Sequence, residues 1–371
     1  MFLKLIYFLM WFKLKPSAAP KIDVAAVANT AFMKETSGLV FNESGTIFSI
    51  EDSGNAPQIL VLDTLGKQLG LPILLNAKNV DWEEMATDET HIFVGDFGNN
   101  SSRRQDLLIY TIDKQAVMNN DKINIGNIYF RYEDQTNFKP SIRKRRFDAE
   151  AMLSIGDSLY LFTKDYTVPL IGESRVYRLP KTVGNHIAQK VGTIRTDNAA
   201  YGLGQITAAA LSPDQKTAVL LANNALYIFR DFELPRFWEG SRTQYNFEEK
   251  RQREGITFSD NCQVYISNEA TTKSVAQLTK LDLCSTMIGR SPRVYCTGIG
   301  QDFLLTFEHL YRNSRLQIID NQGNTIYRKR LKSSMKDLRL SESLFKKNEI
   351  YTLNVTHKSH KWSKKIAIKR T

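Results

Sequence analysis

Five short segments of this 371-residue chain repeat one pattern: Thr36-Ser37-Gly38-Leu39, Trp82-Glu83-Glu84-Met85, Ala149-Glu150-Ala151-Met152, Ile206-Thr207-Ala208-Ala209 and Arg253-Glu254-Gly255-Ile256. Each places an oxygen-bearing side chain two residues before an apolar or small one, at intervals of 46, 67, 57 and 47 residues. A second pattern follows each in register. The runs Ile47-Phe-Ser-Ile-Glu-Asp52, His91-Ile-Phe-Val-Gly-Asp96, Tyr160-Leu-Phe-Thr-Lys-Asp165, Ala218-Val-Leu-Leu-Ala-Asn223 and Val264-Tyr-Ile-Ser-Asn-Glu269 are largely apolar and end in an oxygen side chain. A period of this size, with several strands in each unit, is the mark of a β-propeller.

Further strand candidates complete the units: Ile59-Leu-Val-Leu-Asp63, Leu107-Leu-Ile-Tyr-Thr-Ile112, Arg175-Val-Tyr-Arg-Leu179, Ala225-Leu-Tyr-Ile-Phe229 and Ala276-Gln-Leu-Thr-Lys-Leu-Asp-Leu283. Turn residues such as Ser212-Pro-Asp-Gln215 separate them. No segment keeps a helical period over ten residues with caps. The expected fold is all-β: a five-bladed β-propeller, then a small β-sandwich. Six blades remain an alternative if the long interval from Glu83 to Glu150 hides a degenerate one. The last blade lacks an outer strand after Leu283, and Ile22-Asp-Val-Ala-Ala-Val27 can supply it and so close the ring.

The formal charge of +11 suggests a polyanion partner until it is divided along the chain. Residues 301–371 carry 16 Lys+Arg against 6 Asp+Glu, residues 1–20 carry three lysines and no acid, and residues 21–300 carry 31 against 33. The basicity belongs to the ends, and the repeat domain has no footprint for nucleic acid. Residues 1–20 join a short apolar run to Lys13, Lys15, Pro16 and small residues. That suits a signal peptide better than a membrane span, although lysines after the apolar run are unusual; a hydrophobic tail or a misplaced start are the alternatives. The domain boundaries read as 1–20 signal peptide, 21–286 propeller, 287–302 linker and 303–371 C-terminal module.

In a propeller the start of each inner strand and the end of the next strand meet at the channel mouth. The first ring is Ser37, Glu83, Glu150, Thr207 and Glu254; the second is Asp52, Asp96, Asp165, Asn223 and Glu269. Glu35, Asp81 and Asp148 stand two residues before first-ring members. Carboxylates converging on one axis need a cation, and oxygen donors without His or Cys suit Ca2+. Solvated turn acids are the alternative. Trp82, beside Glu83, reads as an inter-blade packing residue. Arg103 and Arg104, with Arg143, Arg145 and Arg146, form two basic clusters expected on the same face, either an anion clamp or solvated basic loops. Cys262 and Cys284 bracket a hairpin, and pairing them sets Glu269 opposite Gln277; a disulfide with Cys296 free is one reading, three thiols the other.

Two family resemblances follow. The ring order Ser37, Glu83, Glu150, Thr207, Glu254, with Asp52 on a second strand, resembles the calcium-activated apyrases, five-bladed propellers with a central calcium. The similarity is confined to these short motifs, so it implies the calcium hub more than nucleotide hydrolysis. The fuller motifs, such as Glu51-Asp-Ser-Gly-Asn55 and Gly95-Asp-Phe-Gly-Asn-Asn100, resemble secreted bacterial propellers with no settled activity. Residues 303–371 resemble the C-terminal sorting domain of the type IX secretion system: Asp320-Asn-Gln-Gly-Asn-Thr-Ile-Tyr327, then Ile350-Tyr351, then the terminal Lys364-Lys-Ile-Ala-Ile-Lys-Arg370. The chain departs from that pattern in having Asn348-Glu349 where the family has glycine, and in lacking the opening Pro-Asn-Pro.

The resemblances imply a secreted or cell-surface calcium-binding propeller that engages the secretion machinery through its C-terminal domain and has an unknown surface ligand. The alternative is a calcium-dependent hydrolase of phosphate (nucleotide) or ester substrates at the channel mouth. The sequence contains no Gly-x-Ser-x-Gly, Walker or His-Glu-x-x-His motif.

Overall fold

The computed structural model describes residues 25–29, 34–119, 121–196, 202–272, 274–284, 293–299, 302–308, 310, 313–346, 349–357 and 360–367. The expected signal peptide lies outside them. Among the described residues no helix is long and apolar enough to cross a membrane.

Strands dominate, in antiparallel units that each begin with an inner strand: Thr36–Phe41, Trp82–Thr87, Asp148–Ile155, Ile206–Leu211 and Arg253–Phe258. Each inner strand packs against the next, and the fifth returns to the first, so the arrangement is propeller-like around a central channel. In the fifth unit the outer strand is Ala25–Asn29, antiparallel to Gln277–Asp282 with Ala26 opposite Thr279. The chain therefore closes on itself, which removes an open edge. Among the described residues, the long interval between the second and third inner strands holds the second unit's own strands, the short helix Lys114–Asn119 and a loop. The outer strands Ile125–Tyr132 and Gly184–Arg195 pair in parallel, which merges the second and third units into one sheet.

The core divides into clusters between neighbouring units. One joins Phe48 and Ile50 of the first unit to Trp82, Val94 and Tyr110 of the second. Trp82 is fully buried there, and its indole N–H donates to Lys78 O at 2.9 Å, so it packs units together as its position suggested. Burying an aliphatic or phenylalanine side chain such as Phe48, Ile50 or Val94 contributes about 1.5–3 kcal/mol. Cys262 and Cys284 form a disulfide with a Cα–Cα distance of 5.2 Å. The ladder runs one residue off the expected register, Asn268 rather than Glu269 facing Gln277, and the bridge lies just past the strand ends.

The C-terminal residues form two sheets over one core that includes Leu305, Leu316, Leu353 and Trp362. Arg293–Ile299, in the stretch expected to be a linker, is a strand paired antiparallel with Asp302–Glu308. The expected Asp-x-x-Gly turn joins Arg315–Ile319 to Thr325–Arg330, with Gly323 at φ 91° and Asn324 N–H donating to Asp320 Oδ1 at 2.8 Å. The last strand, His360–Ala367, pairs with Ser241–Asn246, the outer strand of the fourth unit (Thr243 opposite Trp362).

Candidate metal centre

Every residue of the first ring sits on an irregularity in its strand ladder. The pairing of each inner strand slips by one residue between Thr36 and Leu39, Trp82 and Glu84, Ala149 and Ala151, Ile206 and Ala208, and Arg253 and Gly255. These are β-bulges: an extra, unpaired residue bends the strand and re-aims its side chain. Ser37, Glu83, Glu150, Thr207 and Glu254 are the residues so placed, and all are buried. The Ser37 hydroxyl donates to Glu83 O, and the Thr207 hydroxyl donates to Arg253 O at 2.7 Å. Each hydroxyl thus ties its strand to the next while its lone pairs stay free to accept. The strands approach so closely that a Cβ on Gly38 would meet the Met85 main-chain nitrogen, and one on Gly255 would meet Ser37 O.

Sequence reasoning missed Lys164. It lies one residue before Asp165, in a run whose other residues read as strand filler; a lysine in so apolar a strand was the available signal. Its ammonium is buried and bonds Glu150 Oε2 at 2.9 Å. Burial opposes its charge, but Glu150 and then Glu254 more than offset that and hold its pKa well above the usual lysine value. Around this ammonium the carboxyls are crowded. Burial, then Glu150 and Asp52, push Glu83 well above the carboxylate range. Burial raises Glu254 to about 7 against the pull of Lys164, and burial with Glu254 raises Glu269 to about 9.

The second ring divides. Asp52, Asn223 and Glu269 face the mouth: Asn223 Nδ2 donates to Glu254 Oε1 at 3.1 Å, and Asp52 with Asp81 and Glu83 presents carboxylate oxygens all within 4.8 Å of one another. Asp96 and Asp165 do not belong there. Asp96 accepts from Val80 N, Asp81 N and Arg104, and Asp165 accepts from Thr167, Ile171 N and Gly172 N. Both carboxylates are spent on loop backbone: Asp96 on the loop that leads into Trp82–Thr87, Asp165 on the loop that follows its own strand. Asp81 and Asp148 take their place. Burial and Asp52 raise Asp81 to about 6. Asp148 is fully buried; Oδ1 accepts from Asn99 N, and Oδ2 has no hydrogen-bond partner. A Cβ on Gly98 would run into Glu83 Oε1 and Asp81 Oδ2, so glycine there keeps the donors' space open.

Below the ring Glu84, also missed, closes the channel. It is fully buried; Oε1 accepts from its neighbour Met85 N at 2.9 Å and Oε2 from Ala209 N of the fourth unit at 3.1 Å. Beyond it the far ends of the same strands line a funnel of about 670 Å³ walled by side chains such as Leu39, Met85, Met152, Ala209 and Ile256.

The expected anion clamp is reduced. Arg104 is committed to Asp96 at 2.9 Å, Asp106 at 3.1 Å and Gly98 O at 3.0 Å. Arg103 and Arg143 are exposed. Arg145 and Arg146 each have a buried Nε without a hydrogen-bond partner, in the loop that ends at Phe147 and is tied to Asn99 and Ser102. The donor set at the mouth is oxygen throughout, with one ammonium inside it: it can bind a hard cation and can hold water or an oxyanion on that cation's open side.

No protein-family model matches the chain, and no curated protein matches it. Among solved structures it is similar to a Trichoderma reesei carbohydrate-active enzyme of family AA12, at 10% identity and TM-score 0.38 over 93% of this chain and 97% of that one. It is also similar to PorZ, an essential surface component of the type-IX secretion system of Porphyromonas gingivalis, at 10% identity and TM-score 0.34 over 90% of this chain; it spans 45% of PorZ. Virginiamycin B lyase from Staphylococcus aureus follows at 12% identity and TM-score 0.29, over 92% and 99%. Similarity at this level assigns no activity.

Proposed function

We propose that this chain is a secreted calcium-binding β-propeller of five blades, followed by a small β-sandwich, and that it serves as a binding or structural module at the cell surface. The observation that carries it is the five-fold bulge: each blade delivers one oxygen side chain to the mouth, where the carboxyls outnumber the single ammonium among them. A divalent cation with six to eight oxygen ligands relieves that repulsion, and Mg2+, which demands tighter octahedral geometry, fits such a wide site poorly. Calcium should therefore raise the melting temperature of the full-length protein and EGTA should reverse the rise. A melting curve indifferent to both removes the reading.

The sorting role of residues 303–371 rests on their motif order. Deleting them should retain a folded propeller inside the outer membrane, and normal surface delivery of the truncated protein would refute the role. A hydrolase reading is favoured by one observation, the partnerless guanidinium Nε atoms of Arg145 and Arg146 in a loop tied to Asn99. It requires phosphate release from nucleoside di- or triphosphates, or ester cleavage, that depends on calcium. Calcium-induced stabilisation without turnover leaves the binding module.

A further inference from the structure

We propose that the outer face of the C-terminal sheet docks on an anionic lipid surface, with Arg315, Arg328, Arg330 and Lys365 meeting its phosphate groups. The proposal uses none of the channel-mouth residues and stands apart from the calcium reading.

Strands Arg315–Ile319, Thr325–Arg330, Ile350–His357 and His360–Ala367 lie side by side in one sheet. Side chains alternate between its two faces. One face carries Leu316, Ile318, Leu353, Val355 and Trp362 into the module's core. The other is polar, and its rows run straight across the strands. Arg330 stands opposite Arg315, Arg315 opposite Thr356, and Thr356 opposite Lys361. The next row is Arg328, Gln317, Asn354 and Ser363, and Lys365 follows in the row beyond, opposite Thr352.

The four strands contain no Asp or Glu. The acids that flank them are occupied elsewhere: Asp320 accepts from Gln322 N and Asn324 N in its own turn, and Glu349 accepts from the Tyr351 hydroxyl. Arg315, Arg328, Arg330 and Lys365 are exposed. The side-chain partners of Arg328 and Arg330 are neutral, Thr325 Oγ1 at 3.3 Å and Asn313 Oδ1 at 2.7 Å. Like charges directly opposite one another on a ladder repel and weaken the sheet. Arg315 and Arg330 are such a pair, and no acid on these strands relieves it. A face that keeps this cost while exposed is matched to negative charge supplied from outside.

The rest of the face selects the kind of partner. Its rows hold no aromatic ring, on which sheet-based readers of single-stranded nucleic acid stack bases and around which protein interfaces are anchored. They do hold one exposed aliphatic side chain, Ile350, which shares the face with Lys365. Spread cations with an apolar tip among them suit a lipid surface, where charge supplies the attraction and the tip enters the headgroup layer.

The test is co-sedimentation of the full-length protein with lipid vesicles in EGTA, which keeps calcium from bridging the channel-mouth acids to the lipid. Vesicles of phosphatidylcholine with about one-third phosphatidylglycerol should bind the protein at about 0.1 M salt, and pure phosphatidylcholine vesicles should not. Arg315→Gln with Arg330→Gln should weaken binding roughly 25-fold, since each cation near such a surface is worth about 5-fold in affinity. The same double variant should melt no lower than the wild type, because a repelling pair is gone. As a charge-matched control, Lys67→Gln with Lys216→Gln removes two exposed lysines of the propeller and should change binding by less than about 2-fold. Equal losses in the two double variants would mean attraction by net charge alone and overturn the proposal. Equal binding to both kinds of vesicle, or binding to neither, would overturn it as well. Duplex DNA that binds as tightly as the anionic vesicles, with the same loss in the arginine variant, would assign the face to nucleic acid instead. None of these outcomes touches the calcium reading, which is decided by the melting curves with calcium and EGTA.

Discussion

The two ends of the central channel are built from the same five strands and treat acidic residues in opposite ways. At the far end, around the funnel, each rim acid with an ion pair has its own lysine: Asp88 with Lys181 at 2.7 Å and Glu43 with Lys114 at 3.3 Å. Against a burial penalty, hydrogen bonds from Lys181, Thr90 N and His91 N lower Asp88 to about 2. At the mouth, Asp81 is raised to about 6, because burial and Asp52 outweigh anything that favours its charge. The same side chain is pushed both ways by partner supply. A carboxyl crowd left short of cations marks the end built to receive one.

The largest break of this contrast should come from Lys164→Met. Removing one partner of a buried pair leaves Glu150 uncompensated, at a cost of about 4 kcal/mol in calcium-free protein at neutral pH. Chemical denaturation in EGTA measures it; a change below about 1 kcal/mol would mean that the pair is solvated. Next in size is Leu39→Ala, in the buried wall between the fifth and first units at the funnel end. It should lower stability by about 3 kcal/mol through a cavity and leave the calcium-induced rise in melting temperature intact. A lost calcium response would show that the two ends are coupled through the ring.

A pH series on metal-free protein sharpens the contrast further. Glu254 and Glu269 have folded pKa values of about 7 and about 9, raised above their unfolded values. Raised carboxyls contribute stability that is complete below the unfolded pKa and lost as pH rises through the folded one. Metal-free protein should therefore weaken between pH 5 and pH 9, by about 2 kcal/mol once screening and relaxation are allowed for. Calcium should flatten the profile, and a metal-free stability that rises with pH would contradict the assignment. The smallest effect carries the sharpest sign. Without calcium, Asp81→Asn should stabilise the protein by about 1 kcal/mol by relieving repulsion. Asp88→Asn should destabilise it by about 0.5–1 kcal/mol by losing a partly exposed ion pair. Melting curves of the two variants that move in the same direction would end the comparison.

Much of the mouth was legible in the chain because its signal is local and repeated. The ring residues Ser37, Glu83, Glu150, Thr207 and Glu254 recur at one offset from an apolar strand, and the closing strand around Ala25 and Val27 could be inferred from the gap after Leu283. The second ring was only half legible. Asp52 and Glu269 reach the mouth while Asp96 and Asp165 cap loops, although all four end a strand in the same way. What separates them is whether a neighbouring loop, before the inner strand for Asp96 and after its own strand for Asp165, offers N–H groups, and that is not written in the strand motif.

The sequence by itself determined the period, the five first-ring side chains and the strands that carry them, since alternation and spacing act over a few residues. Only the tertiary structure decided which carboxyl receives which charge. The bulges turn each ring residue inward, and Lys164 meets Glu150 on the other strand of its own hairpin and Glu254 across the ring. Glu84 of the second unit reaches a backbone N–H of the fourth. The meetings with Glu254 and with the fourth unit depend on strands far apart in the chain converging on one axis. There, in a buried and poorly screened space, electrostatic energy depends on distance between side chains and not on their separation in sequence.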